Sequence, residues 1–191
     1  MEGKKLDRRV RYTKMVIRDA FIGLLAERAV AKITVKEICL RADVNRATFY
    51  AHYRDPFDLL HQIEDGFVED ISRYLADTDF TGVEEEASLA AATRICEYVK
   101  QNAPLCIVLF GQNGDARFLD KAKEIIRLHS LKDWFAGTRA TKREAEYILH
   151  FVIGGAVEVI QRWVAGGLRE SPAEVAGLVL KVAVSGSAAY R

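Results

Sequence analysis

Between Ile33 and Phe57 the chain reads ITVKEICLRADVNRATFYAHYRDPF, and this stretch leaves little freedom in how its surroundings fold. Thr34 followed three residues later by Glu37 is a capping box. The Thr34 hydroxyl accepts from the Glu37 N–H, and the Glu37 carboxylate reaches back to the Thr34 N–H. A short helix follows from Val35 to about Ala42, with Ile38, Cys39 and Ala42 on its inner face. Asp43 and Val44 form a tight turn, and Asn45 is a good N-cap for a second helix reaching about Tyr53. Val44, Phe49 and Tyr53 point back at Ile38. Arg46, Ala47, Thr48, Tyr50 and His52 are left on or near the outer face. Two short helices on a tight turn describe a helix-turn-helix over residues 34–53.

The run RADVNRATFYAHYRDPFDLL resembles the DNA-binding signature of TetR-type (TetR/AcrR) transcriptional regulators. The likeness is specific from about Tyr12 to Phe67 and beyond that rests on helix count and order. It implies an all-α homodimer: an N-terminal three-helix DNA-binding domain, here residues 11–71, and a C-terminal helical ligand-binding and dimerisation domain, here 72–191. In matching positions Arg46, Ala47, Thr48, Tyr50 and His52 face base edges or nearby phosphates, behind the cap Asn45. Thr34, Lys36, His52 and Tyr53 match phosphate or positioning contacts. Arg46 suits guanine O6 and N7, while Ala47 and the Thr48 methyl suit a thymine methyl. Tyr50 has a second reading, its ring packed under the helix. Two positions depart from the common pattern. Asp43 stands where Gly is usual, though Asp tolerates a left-handed backbone. Pro56 stands where a phosphate-touching Lys is frequent.

Charge agrees with a nucleic-acid module at one end. Residues 1–60 hold 13 Lys and Arg against 8 Asp and Glu, a balance of +5, whereas the remainder holds 15 against 19, a balance of −4. A basic segment carrying a helix-turn-helix is the electrostatic footprint expected of a DNA binder. The arm 1–11, with Lys4, Lys5, Arg8, Arg9 and Arg11, reads either as a solvated terminus or as a contact to phosphate or minor groove. The three cysteines, Cys39, Cys96 and Cys106, never pair as C-x-x-C, which argues against a zinc site or disulfide framework and suits a reducing cytoplasm. The chain opens without an apolar signal core, and no uncharged run approaches the roughly 18 residues of a membrane span. A cytoplasmic protein with no membrane partner is expected.

Helical periodicity runs through the rest. Ile17, Phe21, Leu24 and Leu25 make one helix of about Tyr12 to Ala29, with Thr13 as a possible cap. Asp55-Pro56 reads as N-cap and first helical residue of a helix to about Ala76, with Phe57, Leu60, Ile63, Glu64, Phe67 and Ile71 inward. Asp77-Thr78-Asp79 and Gly82 break that pattern. A helix over Glu84–Asn102 turns Leu89, Ala92, Ile95, Cys96 and Val99 inward. Pro104 opens a shorter one over Leu105–Phe110, closed by Gly111 and Gln112-Asn113-Gly114. A helix over Ala116–Phe135 buries Phe118, Ile125, Leu128, Leu131 and Phe135, and Gly137 ends it. No period-two alternation occurs, so no strand is expected. Lys142 to about Ala165 carries Ile148, Val152, Gly155, Val159 and Trp163 on one side, and Tyr147, Phe151 and Gly154 on another. A helix apolar on two sides must be covered on two sides. Ser171-Pro172-Ala173-Glu174 is a second capping box, opening a helix with Val175, Leu178, Val179 and Val182. In the resembled family two such helices form the dimer interface; the competing reading is a helix pair inside a monomer.

The chain offers no catalytic constellation. His52, His61, His129 and His150 show no metal spacing, and phosphate loops and nucleophile elbows are missing. No enzyme, metal or cofactor is expected. Glu146, His150, Gly154, Glu158 and Arg162 form one stripe at four-residue spacing, either a solvated or dimer-edge face or a polar spot in a cavity. Phe110, Phe118, Trp134, Phe135, Tyr147 and Phe151 either fill a helical core or line a cavity for a mostly apolar effector. Phe110, Trp134, Tyr147, His150 and Phe151 are the candidate contacts. The expected function is sequence-specific binding of a pseudo-palindromic double-stranded operator by a homodimer, as a repressor released by a small molecule. The rival is an interaction protein on the same scaffold that binds another protein or non-specific DNA.

Overall fold

Five helix starts, at Thr34, Asn45, Asp55, Thr141 and Ser171, are fixed by local caps that close as hydrogen bonds in the computed structural model. It describes residues 2–76, 85–111, 116–135 and 139–187, with side chains for 8–76, 86–111, 117–129 and 139–186. Within them lie α1 (Glu2–Leu25), α2 (Val35–Ala42), α3 (Arg46–Tyr50), α4 (Pro56–Ala76), α5 (Glu85–Gln101), α6 (Ala103–Leu109), α7 (Ala116–Phe135), α8 (Lys142–Ala165) and α9 (Pro172–Ser187). A 3-10 turn, Val30–Lys32, precedes α2, and no strand occurs among the described residues. The all-α architecture is as expected.

At α2 the Thr34 N–H donates to Glu37 Oε2 at 2.9 Å and the Glu37 N–H donates to Thr34 Oγ1 at 3.3 Å. The same reciprocal pair closes at Ser171 and Glu174 before α9. A third box, Thr141 with Glu144, opens α8. Asp55 Oδ1 accepts the Asp58 N–H at 2.9 Å, so α4 does begin on an Asp-Pro cap. Helix α1 differs from expectation. It runs unbroken from Glu2, so Thr13 lies mid-helix, and it stops at Leu25 instead of Ala29. Residues 2–11 are mainly Lys, Arg, Glu and Leu, all good helix formers, and the one glycine, Gly3, falls in the first turn.

The chain divides into two compact units, residues 1–66 with 107–115 and residues 67–106 with 116–191. The first unit is centred on Ile17, Phe21, Leu25, Ile38, Phe49 and Leu59, which are fully buried. Phe57 is exposed instead; Leu59 and Leu60 carry the buried face of α4. Glu64 is buried as well.

In the second unit α8 packs on α7 through Leu149, Ile153 and Val157 against Leu119 and Ile126. Helix α9 packs on α5 and α8. Around the second half of α4 the rings of Phe67 and Tyr98 lie 5.0 Å apart and those of Phe67 and Phe118 5.7 Å apart. Two polar contacts tie α4 to its neighbours: Tyr98 donates to Asp70 at 2.6 Å, and Ser72 Oγ meets His129 Nε2 at 2.9 Å. Leu89 and Leu128, expected inside, are exposed, because spacing defines an apolar face without saying what covers it. The side chains of Leu131, Trp134 and Phe135, and the breaks at 77–79, 82, 112–114 and 137, lie outside the described residues.

Helix α8 is long and apolar enough to cross a membrane by composition, but its apolarity is divided between two sides. Leu149, Ile153, Val157, Trp163 and Val164 are buried within the unit. The other side joins α9 in an apolar groove of ≈ 390 Å³, lined by Tyr147, Phe151, Gly155, Leu178 and Val182 among others. Tyr147, Phe151, Leu178 and Val182 are 61%, 77%, 55% and 60% exposed. A Cβ placed at Gly154 or Gly155 would meet no described atom within 4 Å.

Candidate nucleic-acid interface

The turn between α2 and α3 comes first, because it aims everything after it. Asp43 takes the left-handed conformation with φ 51° and ψ 47°. The Val44 N–H then folds back onto the Cys39 carbonyl at 3.0 Å, a Schellman-type ending. Asp replaces the usual Gly without loss of the turn, since a short polar side chain tolerates this region better than most.

Asn45 follows in extended conformation and caps α3: its Oδ1 accepts the Thr48 N–H at 2.7 Å and the Thr48 hydroxyl at 3.0 Å. Helix α3 is only five residues long and ends at Tyr50 rather than near Tyr53. The His52 and Tyr53 N–H groups both return to the Phe49 carbonyl at 3.0 Å, which tightens the last turn. A helix this short has no stability of its own. Burial of Phe49 and Tyr53, whose rings lie 5.5 Å apart, supplies it.

That burial divides the predicted contacts. Arg46, Ala47 and Tyr50 are exposed on α3. Tyr50 keeps its ring out in solvent, 57% exposed, while its edge meets Phe49 at 5.7 Å. Packing beneath the helix, its second reading, is therefore only partial. His52 is half-buried, with its ring edge toward Tyr53. Thr48 is half-buried and its hydroxyl is engaged by Asn45. Lys36 and Thr34 are exposed at the start of α2. Tyr53 points inward as its place opposite Ile38 implies: it is 6% exposed and its ring is core. Desolvation pushes the pKa of its hydroxyl up, with Arg18 opposing and Asp58 adding to the rise.

Electrostatics sort the cations here. Arg28 pairs with Glu37, Arg41 with Glu27 and Arg54 with Asp58. Lys36 and Arg46 form no ion pair among the described residues. The two unneutralised cations of the helix-turn-helix are thus those at the outer start of each helix.

Three of the candidate effector contacts, Tyr147, His150 and Phe151, lie on α8. Tyr147 and Phe151 line the exposed groove, because the buried face of α8 is already filled by Leu149, Ile153 and Val157. His150 is exposed beside them, on a stripe where Glu158 and Arg162 pair at 3.5 Å in solvent. Phe110 is half-buried at the end of α6, and the Trp134 side chain lies outside the described residues. Among the described residues no group of His, Cys, Asp and Glu is arranged to hold a metal ion.

Comparison with known proteins agrees with this geometry. Residues 17–63 match the bacterial regulatory proteins of the tetR family, and residues 86–184 match a transcriptional regulator C-terminal region. The HTH-type transcriptional regulator YxbF of Bacillus subtilis is 30% identical over 159 residues, which is 79% of this chain. The match covers 40% of the length of that relative. Among solved structures, a TetR transcriptional regulator from Streptococcus agalactiae superimposes with a TM-score of 0.64 at 22% identity, covering 95% of this chain and 98% of that one. FadR of Bacillus subtilis, solved in complex with stearoyl-CoA, superimposes with a TM-score of 0.64 at 19% identity over 90% of this chain and 98% of its own.

Proposed function

Because the chain belongs to the TetR family of bacterial transcriptional regulators, we propose that it binds a specific double-stranded operator with α3 in the major groove. The carrying observation is the division of α3. Phe49 is buried with Tyr53, while Arg46, Ala47 and Tyr50 stand in solvent behind the Asn45 cap. Arg46, Ala47 and Tyr50 address bases, and Thr48 adds its methyl while its hydroxyl stays with Asn45. Lys36, Thr34 and His52 address phosphate. Residues 11–71 are the DNA-binding domain and 72–191 the regulatory and dimerisation domain. All three thiols are free and buried, which fits a regulator working in the reducing cytoplasm.

The groove on α8 and α9 is the dimer seam of this reading. Four large apolar side chains more than half exposed on one face need a cover, and a second copy offers the same face in return. The operator is then a pseudo-palindrome whose half-sites lie a whole number of turns apart, about 34–36 Å for one turn.

Regulation follows the common mode of such proteins: repression released by a mostly apolar small molecule. FadR, which shares the fold, holds stearoyl-CoA, so the scaffold accommodates a long apolar ligand. In this chain the Ser72–His129 and Asp70–Tyr98 contacts make α4 sensitive to rearrangement of α5 and α7. Effector and DNA must weaken each other by one and the same factor, worth about 1–3 kcal/mol.

Selection of bound duplexes from a random library tests the reading. An enriched two-fold motif is expected, and its affinity should fall when a stabilising small molecule is added. Binding that is salt-sensitive yet indifferent to sequence would replace this reading with a non-specific one.

A further inference from the structure

The first unit contains a crossed pair of ion pairs between the end of α1 and α2 that the DNA-facing surface does not use. Glu27 Oε1 accepts from Arg41 Nη1 at 2.6 Å, and Arg28 Nη2 meets Glu37 Oε1 at 2.9 Å. Two neighbouring residues after α1, one acid and one base, thus hold one base and one acid a turn apart on α2. Glu37 serves twice. Its Oε2 takes the Thr34 N–H and hydroxyl that start α2, and its Oε1 takes Arg28.

Gly23 completes the arrangement. It lies in the last full turn of α1, one turn before Glu27, where Gly is a poor helix residue compared with Ala. The guanidinium of Arg41 explains it. A Cβ at Gly23 would stand 2.7 Å from Arg41 Nη2, 2.9 Å from Cζ and 3.2 Å from Nε. The Arg41 guanidinium thus occupies the space over Gly23 while it reaches Glu27, so a side chain at position 23 would force Arg41 to shift.

We propose that Gly23, Glu27, Arg28, Glu37 and Arg41 are positioning residues that set the seat of α2 on α1. Through the Asp43 turn they set the aim of α3, and so govern discrimination between the preferred duplex and other DNA without touching either. This rests on the DNA-binding reading above. In this arrangement Arg28 and Arg41 are each neutralised by a carboxylate across the α1–α2 junction. The aim of a reading helix matters for bases and little for a diffuse phosphate field, so the quantity affected is the ratio of specific to non-specific affinity.

The test uses the full-length protein, its selected duplex and a scrambled duplex of equal length. Gly23→Ala leaves charge unchanged and improves helix propensity, so Tm should hold or rise while the affinity ratio falls. Glu27→Gln frees Arg41, so binding to scrambled DNA should strengthen while binding to the selected duplex gains less or weakens. In both variants the ratio should drop by roughly three- to tenfold, the scale expected from disturbing one or two partly exposed ion pairs. Arg41→Glu should lower it further, and adding Glu27→Arg to that variant should recover part of the loss at unchanged net charge. A selected duplex for the wild type, with Gly23→Ala and Glu27→Gln both within twofold of its ratio, overturns the clamp alone. A charge exchange no better than Arg41→Glu overturns the pairing. A wild type with no preferred duplex overturns the DNA-binding reading itself, and this proposal with it.

Discussion

Replacing Phe151 by Ser probes the dimer seam where the structure makes the arithmetic simplest. In the single chain the Phe151 side chain is 77% exposed, so its removal disturbs almost nothing inside the protomer. Full burial of such a side chain is worth about 1.5–3 kcal/mol, and the exposed share available to a partner is then about 1–2 kcal/mol per copy. A two-fold interface counts each residue twice, giving roughly 2–4 kcal/mol per dimer. At about 1.4 kcal/mol per tenfold, the dissociation constant should rise by roughly 30- to 1000-fold. Sedimentation equilibrium over a concentration series measures it directly, with the helical circular dichroism spectrum as a control that the protomer is intact. Two results would refute the reasoning. A wild type that sediments as a monomer at every concentration removes the seam. Alternatively the variant dimerises as tightly as the wild type, which places the seam on another face.

Gly155→Leu should leave the protomer at least as stable, since no described atom lies within 4 Å of its Cβ position, yet weaken the dimer by overpacking; loss of protomer stability would show a packing role inside the chain instead. Arg46→Ala should cost roughly 1–3 kcal/mol on the selected duplex and much less on scrambled DNA, whereas Lys36→Ala should weaken both alike and lower the salt slope by about one; titrations at several salt concentrations separate the two. Glu37 and Glu144 are held below 4.5 first by side-chain hydrogen bonds from Thr34 and Thr141, and Glu174 first by the Ser171 backbone N–H. A carboxylate with a lower folded pKa stabilises the fold above its unfolded value and loses that contribution as pH falls through the folded one. Tm should therefore decline below about pH 4.5, and Gln at all three positions, still able to close the boxes, should flatten the decline; equal acid sensitivity would assign the decline to other carboxylates.

What was legible in the sequence was local. Thr34 with Glu37, Asn45, Asp55-Pro56 and Ser171 with Glu174 each announce a helix start through a hydrogen bond spanning three residues, and each closes as expected. Thr141-Lys-Arg-Glu144 carries the same signal and was open to the same reading. Periodicity also placed α8 over Lys142–Ala165 to the residue. Coverage was not legible. The spacing of Tyr147 and Phe151 marks an apolar face, but the choice between a cavity wall and an outer groove depends on Leu149, Ile153 and Val157 having already filled the interior. Phe57, Leu89 and Leu128 fail for the same reason. Tyr53 was legible on that count: its inward place beside Phe49 is where its ring is buried. The crossed pairs of Glu27, Arg28, Glu37 and Arg41 join residues 9 to 14 positions apart, beyond the reach of any helical period.

The division of α3 also bears on how such a regulator changes over generations. Arg46, Ala47 and Tyr50 project into solvent, so replacing them costs the protein little, whereas Phe49 between them is fully enclosed. If these residues read the operator as proposed, its preference is written where selection can edit almost independently of folding. Thr48 is the exception, since its hydroxyl is shared with the cap at Asn45. A substitution there alters the message and the start of the helix together. Engineering a new preference would begin at positions 46, 47 and 50, and reach 48 only with Asn45 in view.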